Sequence, residues 1–308
     1  MVMEVGGAGG REPEEGEDFR PELDGTIDLH VHTGPDIFPR RVTAMEAAVA
    51  ARSVGMAALL IKSHSTDTSA RAEMVRDATG FPVFGGVVLN YPVGGLNPHA
   101  VVETGRQGGR CVWMPTIAAR NFVAHGDMAP MLQAAIPRGV RGLVATQGGR
   151  LLPSVHRILD AVAEHDLMLT SGHLTADEVI LMFEEAVSRG IHRLAVNHVE
   201  WELMGLARAD IRALTGLGAF MEITKVGAIE RRAALIREIG VEHCFLATDG
   251  GPVGDPAPVD ILHQSIVGLQ RLGFSKEELR YMSAEVPAYL LRLEGAGDRP
   301  KPPARRAE

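Results

Sequence analysis

Eight short apolar segments, separated by stretches with helical periodicity, set the strongest limit on how this chain can fold. Each segment has the length and the aliphatic content of a buried strand, and turn residues bound it. The segments are Ile27–His32, Ala57–His64, Val83–Asn90, Cys111–Thr116, Leu167–His173, Arg193–His198, Ala219–Thr224 and Cys244–Asp249. Strands that alternate with helices are parallel and are joined by right-handed crossovers. The sequence therefore predicts an α/β fold.

The stretches between the apolar segments carry the signals of helices. Predicted helices are Thr43–Val54, Ser69–Thr79, Ser154–His165, Thr175–Arg189, Ala209–Leu214, Glu230–Ile239 and Val259–Leu272. Gly55, Gly190 and Gly240 stand where helices end. The sequences 175–178 and 275–278 are typical of capping boxes that open helices.

Two segments, 117–138 and 141–152, interrupt this alternation. The second contains Gln147-Gly148-Gly149-Arg150, which is typical of a hairpin turn, although counting the segment as a strand would make nine. Eight strand–helix units over residues 25–294 have the size of one closed (β/α)8 domain, a TIM barrel. An open, doubly wound sheet is the alternative.

The composition narrows the class of protein and of partner. Of 308 residues, 45% are hydrophobic and 23% are charged, which excludes a disordered or fibrous chain. The formal net charge of −8 argues against a nucleic-acid surface, so we expect a small-molecule substrate. No apolar run has the length of a membrane span, and we expect a cytoplasmic protein. Assembly into a homo-oligomer is left open.

The tails and the cysteines have simple interpretations. Residues 1–24 and 295–308 lack apolar periodicity and are predicted to be disordered tails. Cys111 and Cys244 each lie in a predicted buried strand, so we expect two free thiols instead of a disulfide framework.

Polar side chains stand at the ends of the predicted strands. They are His30, His32, Lys62, His64, Asn90, Thr116, His173, His198 and Asp249. In a barrel of this type, the C-terminal ends of the strands form the active site. The sequence therefore predicts a polar site at that end.

The histidines and the aspartate in this set are typical metal ligands. His30 and His32 alternate along one strand, so both imidazoles point to the same side and one ion could take both. Each histidine alone could equally be a hydrogen-bonded core residue. Asp249 would be costly to bury unpaired, and a metal ion or a hydrogen-bonded water would offset that cost.

Taken together, these residues resemble the amidohydrolase superfamily. That superfamily has His-x-His after strand one, a His after strand five, a His after strand six and an Asp after strand eight. The resemblance runs from about Gly25 to Leu293, and residues 286–293 look like its closing helix. Within it, the chain looks nearest to a poorly characterised amidohydrolase-like group. The features that carry this likeness are Asp28–His32, Ile61–His64, Trp113–Thr116 and Ser171–His173.

The resemblance implies a ligand set. His30, His32 and Asp249 would bind the deeper ion, and His173 would join them in a one-metal site or bind a second ion with His198. Many two-metal members bridge their ions with a carbamylated Lys or a Glu after strand four, where this chain has Met114-Pro115-Thr116. We therefore expect one divalent ion, zinc first, with manganese or iron as alternatives.

Strand two offers a different source for the missing bridge. Lys62 and His64 share a strand face, and Lys62 could be carbamylated, could bind a substrate carboxylate or carbonyl, or could be a salt-bridge partner. His64 is a candidate substrate contact or extra ligand. Arg120, Asn121 and His125, in the long segment after strand four, are further candidates for substrate binding. Weaker candidates for lining the pocket are Glu200, Trp201, Glu222 and Lys225.

The implied reaction is hydrolysis by metal-activated water that attacks a polarised carbonyl. Asp249 would take the water proton, and His198 would hold the water or stabilise the oxyanion. The substrate could be an amide, imide, lactone or other ester, and Lys62 with Arg120 suggests an anionic one. Two alternatives are a non-oxidative decarboxylase of the same fold and a metal-binding barrel without catalytic activity.

Overall fold

The computed structural model describes residues 19–125, 132, 136, 139–293, 295 and 298–303. Each of the eight predicted strands is present. The first has its predicted bounds, and the other seven are shorter than predicted because their polar ends lie beyond the ladder. They are β1 (Ile27–His32), β2 (Ala58–Lys62), β3 (Val83–Phe84 and Gly86–Val88), β4 (Cys111–Trp113), β5 (Met168–Thr170), β6 (Leu194–Val196), β7 (Phe220–Ile223) and β8 (Cys244–Leu246).

The strands pair in sequence order, and all of these pairs are parallel. β1 pairs with β2 and β2 with the first half of β3, while the second half of β3 continues through β4 to β8. A parallel bridge joins Val31 to Gly250, and the His32 amide donates to the Gly250 carbonyl at 2.8 Å, which closes the circle. The TIM barrel is therefore confirmed, and the open sheet is excluded by the closure.

Side chains complete the seam between β1 and β8, where the backbone ladder is shortest. Asp28 Oδ1 accepts from the amides of Thr248 at 3.0 Å and His30 at 3.1 Å, and Asp28 Oδ2 accepts from the Thr248 hydroxyl at 2.5 Å. Burial raises the pKa of Asp28 to about 6, against these hydrogen bonds, which lower it. The Asp28 carboxylate thus holds His30 and Thr248, the residue before Asp249, in register.

Helices surround the barrel close to where the sequence predicts them. They are α1 (Ala44–Ser53), α2 (Ser69–Thr79), α3 (Pro98–Arg106), α4 (Arg120–Ala124), α5 (Pro153–His165), α6 (Ala176–Ser188), α7 (Arg208–Gly216), α8 (Ile229–Ile239), α9 (Pro258–Arg271), α10 (Lys276–Arg280) and α11 (Val286–Leu290). The Ser275 hydroxyl accepts from the Glu278 amide at 3.2 Å, and Glu278 accepts from the Ser275 amide at 2.7 Å, as a capping box requires.

Helix α3 is absent from the sequence-based prediction. It contains Gly105, which in a sequence indicates a helix breaker. In the structure a Cβ at Gly105 would lie 2.3 Å from the His165 ring, so this glycine permits close packing of α3 against α5. Gly105 is therefore explained by its contact with His165, which is distant along the chain.

The hairpin and the cysteines agree with the predictions from the sequence. The predicted hairpin is confirmed, since Thr146–Gln147 pairs antiparallel with Arg150–Leu151. Cys111 and Cys244 are buried free thiols. None of the described helices has both the length and the apolar content to cross a membrane.

The folded part extends into both predicted tails. Leu23 lies fully buried in a 3-10 helix at Pro21–Leu23, and the Arg299 side chain donates to the Gly218 carbonyl at 2.7 Å. Residues 1–18 and 304–308, and most of 126–138, lie outside the described residues.

Candidate metal centre

The predicted ligands meet at the C-terminal end of the barrel. His30 Nε2 and His32 Nε2 lie 3.1 Å and 3.2 Å from the same oxygen, Asp249 Oδ1. His30, His198 and Asp249 each offer one ligand atom within 4.8 Å of the others. The sequence analysis grouped His32 with His30 and Asp249, whereas this group of three contains His198.

Two of these residues have unusual backbone conformations. His198 (φ 52°) and Asp249 (φ 47°) follow β6 and β8 in the left-handed region, which costs a non-glycine residue about 1–2 kcal/mol. The only other described non-glycine residues with positive φ, Asp166 and Arg292, follow helices. Hydrogen bonds hold both turns: the His198 amide donates to Glu222 Oε2 at 3.2 Å, and Lys225 Nζ donates to the Asp249 carbonyl.

Glycine beside Asp249 allows the two strand ends to approach. A Cβ on Gly251 would lie 2.1 Å from the His32 carbonyl oxygen, and its φ of 134° also disfavours other residues. Gly251 therefore permits a close backbone approach between the segment that follows β8 and the end of β1.

The ring of His173 packs among other aromatic rings. Its ring stacks on Phe122 at 5.4 Å, meets Trp201 edge-on at 5.5 Å and lies 5.4 Å from the His198 ring. Both ring nitrogens are buried, and neither has a hydrogen-bond partner among the described residues. A buried polar atom without a partner is costly, so these nitrogens fit a ligand.

The charges of the site also fit a cation. Burial lowers the pKa of His32 and His173 well below its usual value and that of His198 to about 4, which leaves neutral imidazoles that a metal can bind. Burial raises the pKa of Asp249, but the imidazoles of His30 and His32 lower it well below its usual range, so the carboxylate is ionised. The donor set is therefore compatible with a borderline divalent metal.

Lys62 lies inside the cluster. Its Nζ is 2.9 Å from His30 Nε2 and 5.3 Å from the centre of the Trp113 ring. Burial lowers the pKa of Lys62 to about 8. Lys62 makes no ion pair with a carboxylate in the part of the chain that the structure describes, so the salt-bridge interpretation is not supported.

Thr116, where a bridging Lys or Glu would stand, instead holds His64. Thr116 Oγ1 lies 3.0 Å from His64 Nδ1 and accepts from Asn90 Nδ2 at 2.9 Å, and that amide group also donates to the His64 carbonyl at 3.0 Å. The His64 ring lies 4.7 Å from the His32 ring. His64 is thus beside the ligands, in a fixed orientation.

The three candidates after β4 lie apart from the histidines. Arg120 and His125 are exposed, and Asn121 Nδ2 donates to the Leu203 carbonyl at 3.1 Å. No described contact joins these three to the cluster, and their role in substrate binding stays a prediction. The contact from this segment is made by Phe122, which the sequence analysis missed because an apolar residue in a short helix carries no chemical signal.

Glu222 is more central than the sequence suggested. Its Oε1 lies 3.0 Å from His30 Nδ1, and its Oε2 accepts from Asn197 Nδ2 at 3.0 Å. Burial raises its pKa, but the neighbouring His30 and His198 lower it to about 2. The signal available in the sequence was a single acidic residue inside the apolar run of β7.

Comparison with known protein families gives one match. A family of unknown function (DUF6282) matches residues 25–222, which include His30, His32, His173 and His198 but not Asp249. No curated protein matches the sequence.

Solved structures with the same fold are distant in sequence. An amidohydrolase from Pseudomonas aeruginosa superposes with a TM-score of 0.56 at 10% identity, over 88% of this chain and 96% of that one. The 2,6-dihydroxybenzoate decarboxylase from Rhizobium gives 0.52 at 12% identity, over 89% of this chain and 100% of the enzyme. The resemblance to the amidohydrolase superfamily is thus confirmed at the level of fold.

Proposed function

The chain belongs to the family of unknown function DUF6282, and we propose that it is a metal-dependent hydrolase that cleaves an amide, imide, lactone or ester bond of a small molecule. The observation that supports this most is the convergence of His30, His198 and Asp249 within 4.8 Å at the C-terminal end of the barrel. The ring nitrogens of His173, which have no hydrogen-bond partner among the described residues, support it further, because the His173 ring lies 5.4 Å from the His198 ring.

We assign the ligand positions to His30, His198 and Asp249, with His32 and His173 beside them. A divalent ion bound there would act as a Lewis acid that polarises a carbonyl and lowers the pKa of water. The zinc ion, a single ion per site, the single domain over residues 25–294 and the cytoplasmic location remain predictions.

Asp249 and His198 have complementary protonation states for this chemistry. The ionised Asp249 carboxylate would accept the proton of the attacking water and return it to the leaving group. His198, whose pKa is lowered to about 4 by burial, is neutral near pH 7 and would act as a ligand or hydrogen-bonding group and not as the proton source.

Lys62 and His64 would bind the substrate. The Lys62 ammonium has no carboxylate partner in the described residues, and an anionic or carbonyl group of the substrate would supply one. The His64 ring, held by Thr116, lies 4.7 Å from the His32 ring. Carbamylation of Lys62 stays an alternative to this role.

A decarboxylase is the second candidate. Aromatic rings of Phe122 and Trp201 flank His173, and such walls suit a planar acid whose carboxylate would meet Lys62. The structurally similar 2,6-dihydroxybenzoate decarboxylase has an activity of this type.

One experiment separates these candidates. The purified protein is analysed for metal by mass spectrometry, stripped with a chelator and reloaded with zinc, manganese or iron. Each form is assayed on amides, imides, lactones and esters, and for carbon dioxide release from aromatic and enolic acids. Metal-dependent hydrolysis that His30→Ala abolishes is the expected result. Carbon dioxide release alone would favour the decarboxylase, and activity without metal in the His30→Ala variant would refute both.

A further inference from the structure

Glu222 connects two proposed ligands that are far apart in the chain. Its side chain is only 2% exposed and lies at the end of β7, between the ends of β1 and β6. One carboxylate oxygen faces the ring of His30, and the other faces the backbone amide of His198.

The neighbours of His30 determine which ring nitrogen carries the proton. A carboxylate only accepts hydrogen bonds, so Glu222 Oε1, 3.0 Å from Nδ1, requires a proton on Nδ1. An ammonium only donates, so Lys62 Nζ, 2.9 Å from Nε2, requires a lone pair on Nε2. Both contacts specify the Nδ1–H tautomer. Its Nε2 lone pair then faces Asp249 Oδ1, 3.1 Å away, and a cation shared by these two atoms would relieve the repulsion between them.

The second carboxylate oxygen fixes the turn that carries His198. It accepts from the His198 amide at 3.2 Å and from Asn197 Nδ2 at 3.0 Å. Asn197 is itself held, because its amide donates to the Ser171 hydroxyl at 2.9 Å and its Oδ1 accepts from the Gly172 amide at 3.2 Å. His198 is in the left-handed region, so this acceptor stabilises a conformation that is unfavourable in isolation.

We infer that Glu222 is a positioning residue that sets the tautomer of His30 and the backbone turn of His198, and so presents both imidazoles to one ion. The part of this inference that concerns the ion rests on the proposed function. The part that concerns the tautomer and the turn rests on the hydrogen bonds alone. Replacement of a residue that orients a metal-ligating histidine typically weakens metal binding about 10- to 100-fold.

Glu222→Gln is a sharp test because all three neighbours of the carboxylate are donors. An amide has one accepting and one donating end. If its oxygen faces Asn197 and His198, its NH2 faces His30 Nδ1 and favours the Nε2–H tautomer. If its oxygen faces His30, the amide of His198 loses its acceptor. The variant therefore changes one of the two residues in either orientation.

The measurement is nitrogen NMR of metal-free protein labelled at its histidine rings, with His30 assigned through a His30→Gln variant. Wild type and Lys62→Met are expected to show His30 as Nδ1–H. Glu222→Gln is expected to show either Nε2–H at His30 or a shifted His198 amide. A matched control is Glu178→Gln, which removes another buried carboxylate, one that accepts from the Ala145 amide.

A titration with Co²⁺ or Zn²⁺ accompanies the spectra. The dissociation constant is expected to rise about 10- to 100-fold in Glu222→Gln and to stay within about twofold in Glu178→Gln. An unchanged His30 tautomer, His198 amide and dissociation constant in Glu222→Gln would overturn the inference. If that variant does not fold, a switch of His30 to Nε2–H in Lys62→Met would overturn it, because Glu222 would then not set the tautomer.

The two proposals fail in different ways. Wild-type protein that binds no metal, yet shows a Glu222-dependent tautomer at His30, would refute the proposed function and keep the positioning role. Equally tight metal binding in wild type and in Glu222→Gln would keep the proposed function and refute the positioning role.

Discussion

His173→Leu tests whether the site stores an unfavourable interaction that a ligand relieves. Neutral histidine carries one donor and one acceptor, and both ring nitrogens of His173 are buried without a partner among the described residues. Leaving one such atom unpaired costs about 1–3 kcal/mol. Leucine keeps an apolar side chain against Phe122 and Trp201 and removes both unpaired atoms.

We therefore expect His173→Leu to raise the free energy of unfolding of chelator-treated protein by about 1–3 kcal/mol. With zinc at a hundred times its dissociation constant, wild type should gain about 2.7 kcal/mol, and the variant should gain less. Urea unfolding with and without zinc measures both quantities, provided that the transition is reversible.

His64→Leu is the matched control, because the same change has the opposite expected sign. His64 Nδ1 has a partner, Thr116 Oγ1 at 3.0 Å, and its loss should lower the stability by about 1 kcal/mol. The reasoning is refuted if His173→Leu destabilises the chelator-treated protein as much as His64→Leu does. His173 would then be a structural histidine with partners of its own.

Three further predictions concern the same end of the barrel. Asp249→Asn keeps the shape but removes the accepting charge, and kcat/KM should fall about 10²- to 10⁴-fold in steady-state assays while the far-UV spectrum is unchanged. Lys62→Met should raise KM for an anionic substrate about tenfold or more and have a smaller effect on a neutral analogue, and equal effects on both would contradict a role in binding the anion. Gly251→Ala places a Cβ 2.1 Å from the His32 carbonyl oxygen and should destabilise the protein by more than about 1 kcal/mol. Gly254→Ala, where a Cβ would meet no atom within 4 Å, should leave the stability nearly unchanged, and thermal unfolding of both variants measures the difference.

Local patterns were sufficient to predict the barrel strands and the residues at their ends. Alternation and apolar runs depend on neighbours along the chain, so β1 with His30 and His32 is recognisable without any tertiary contact. The helix α3 was missed although Asn97 and Pro98 open it, because Gly105 indicates a helix breaker along the chain and is a packing residue only when His165 lies opposite it. The same limit applies to Phe122, because it follows β4 whereas its contact, His173, follows β5.

The amino-acid sequence by itself determined that His30, His32, His173, His198 and Asp249 would face one end of a barrel, because parallel strands bring their C-terminal ends to one edge. Only the tertiary structure decided which of these atoms meet. The left-handed turns at His198 and Asp249, the carboxylate of Glu222 and the closure of β1 on β8 set distances of a few ångströms between residues up to 220 positions apart. Such distances follow from packing around the whole barrel, and no local pattern encodes them.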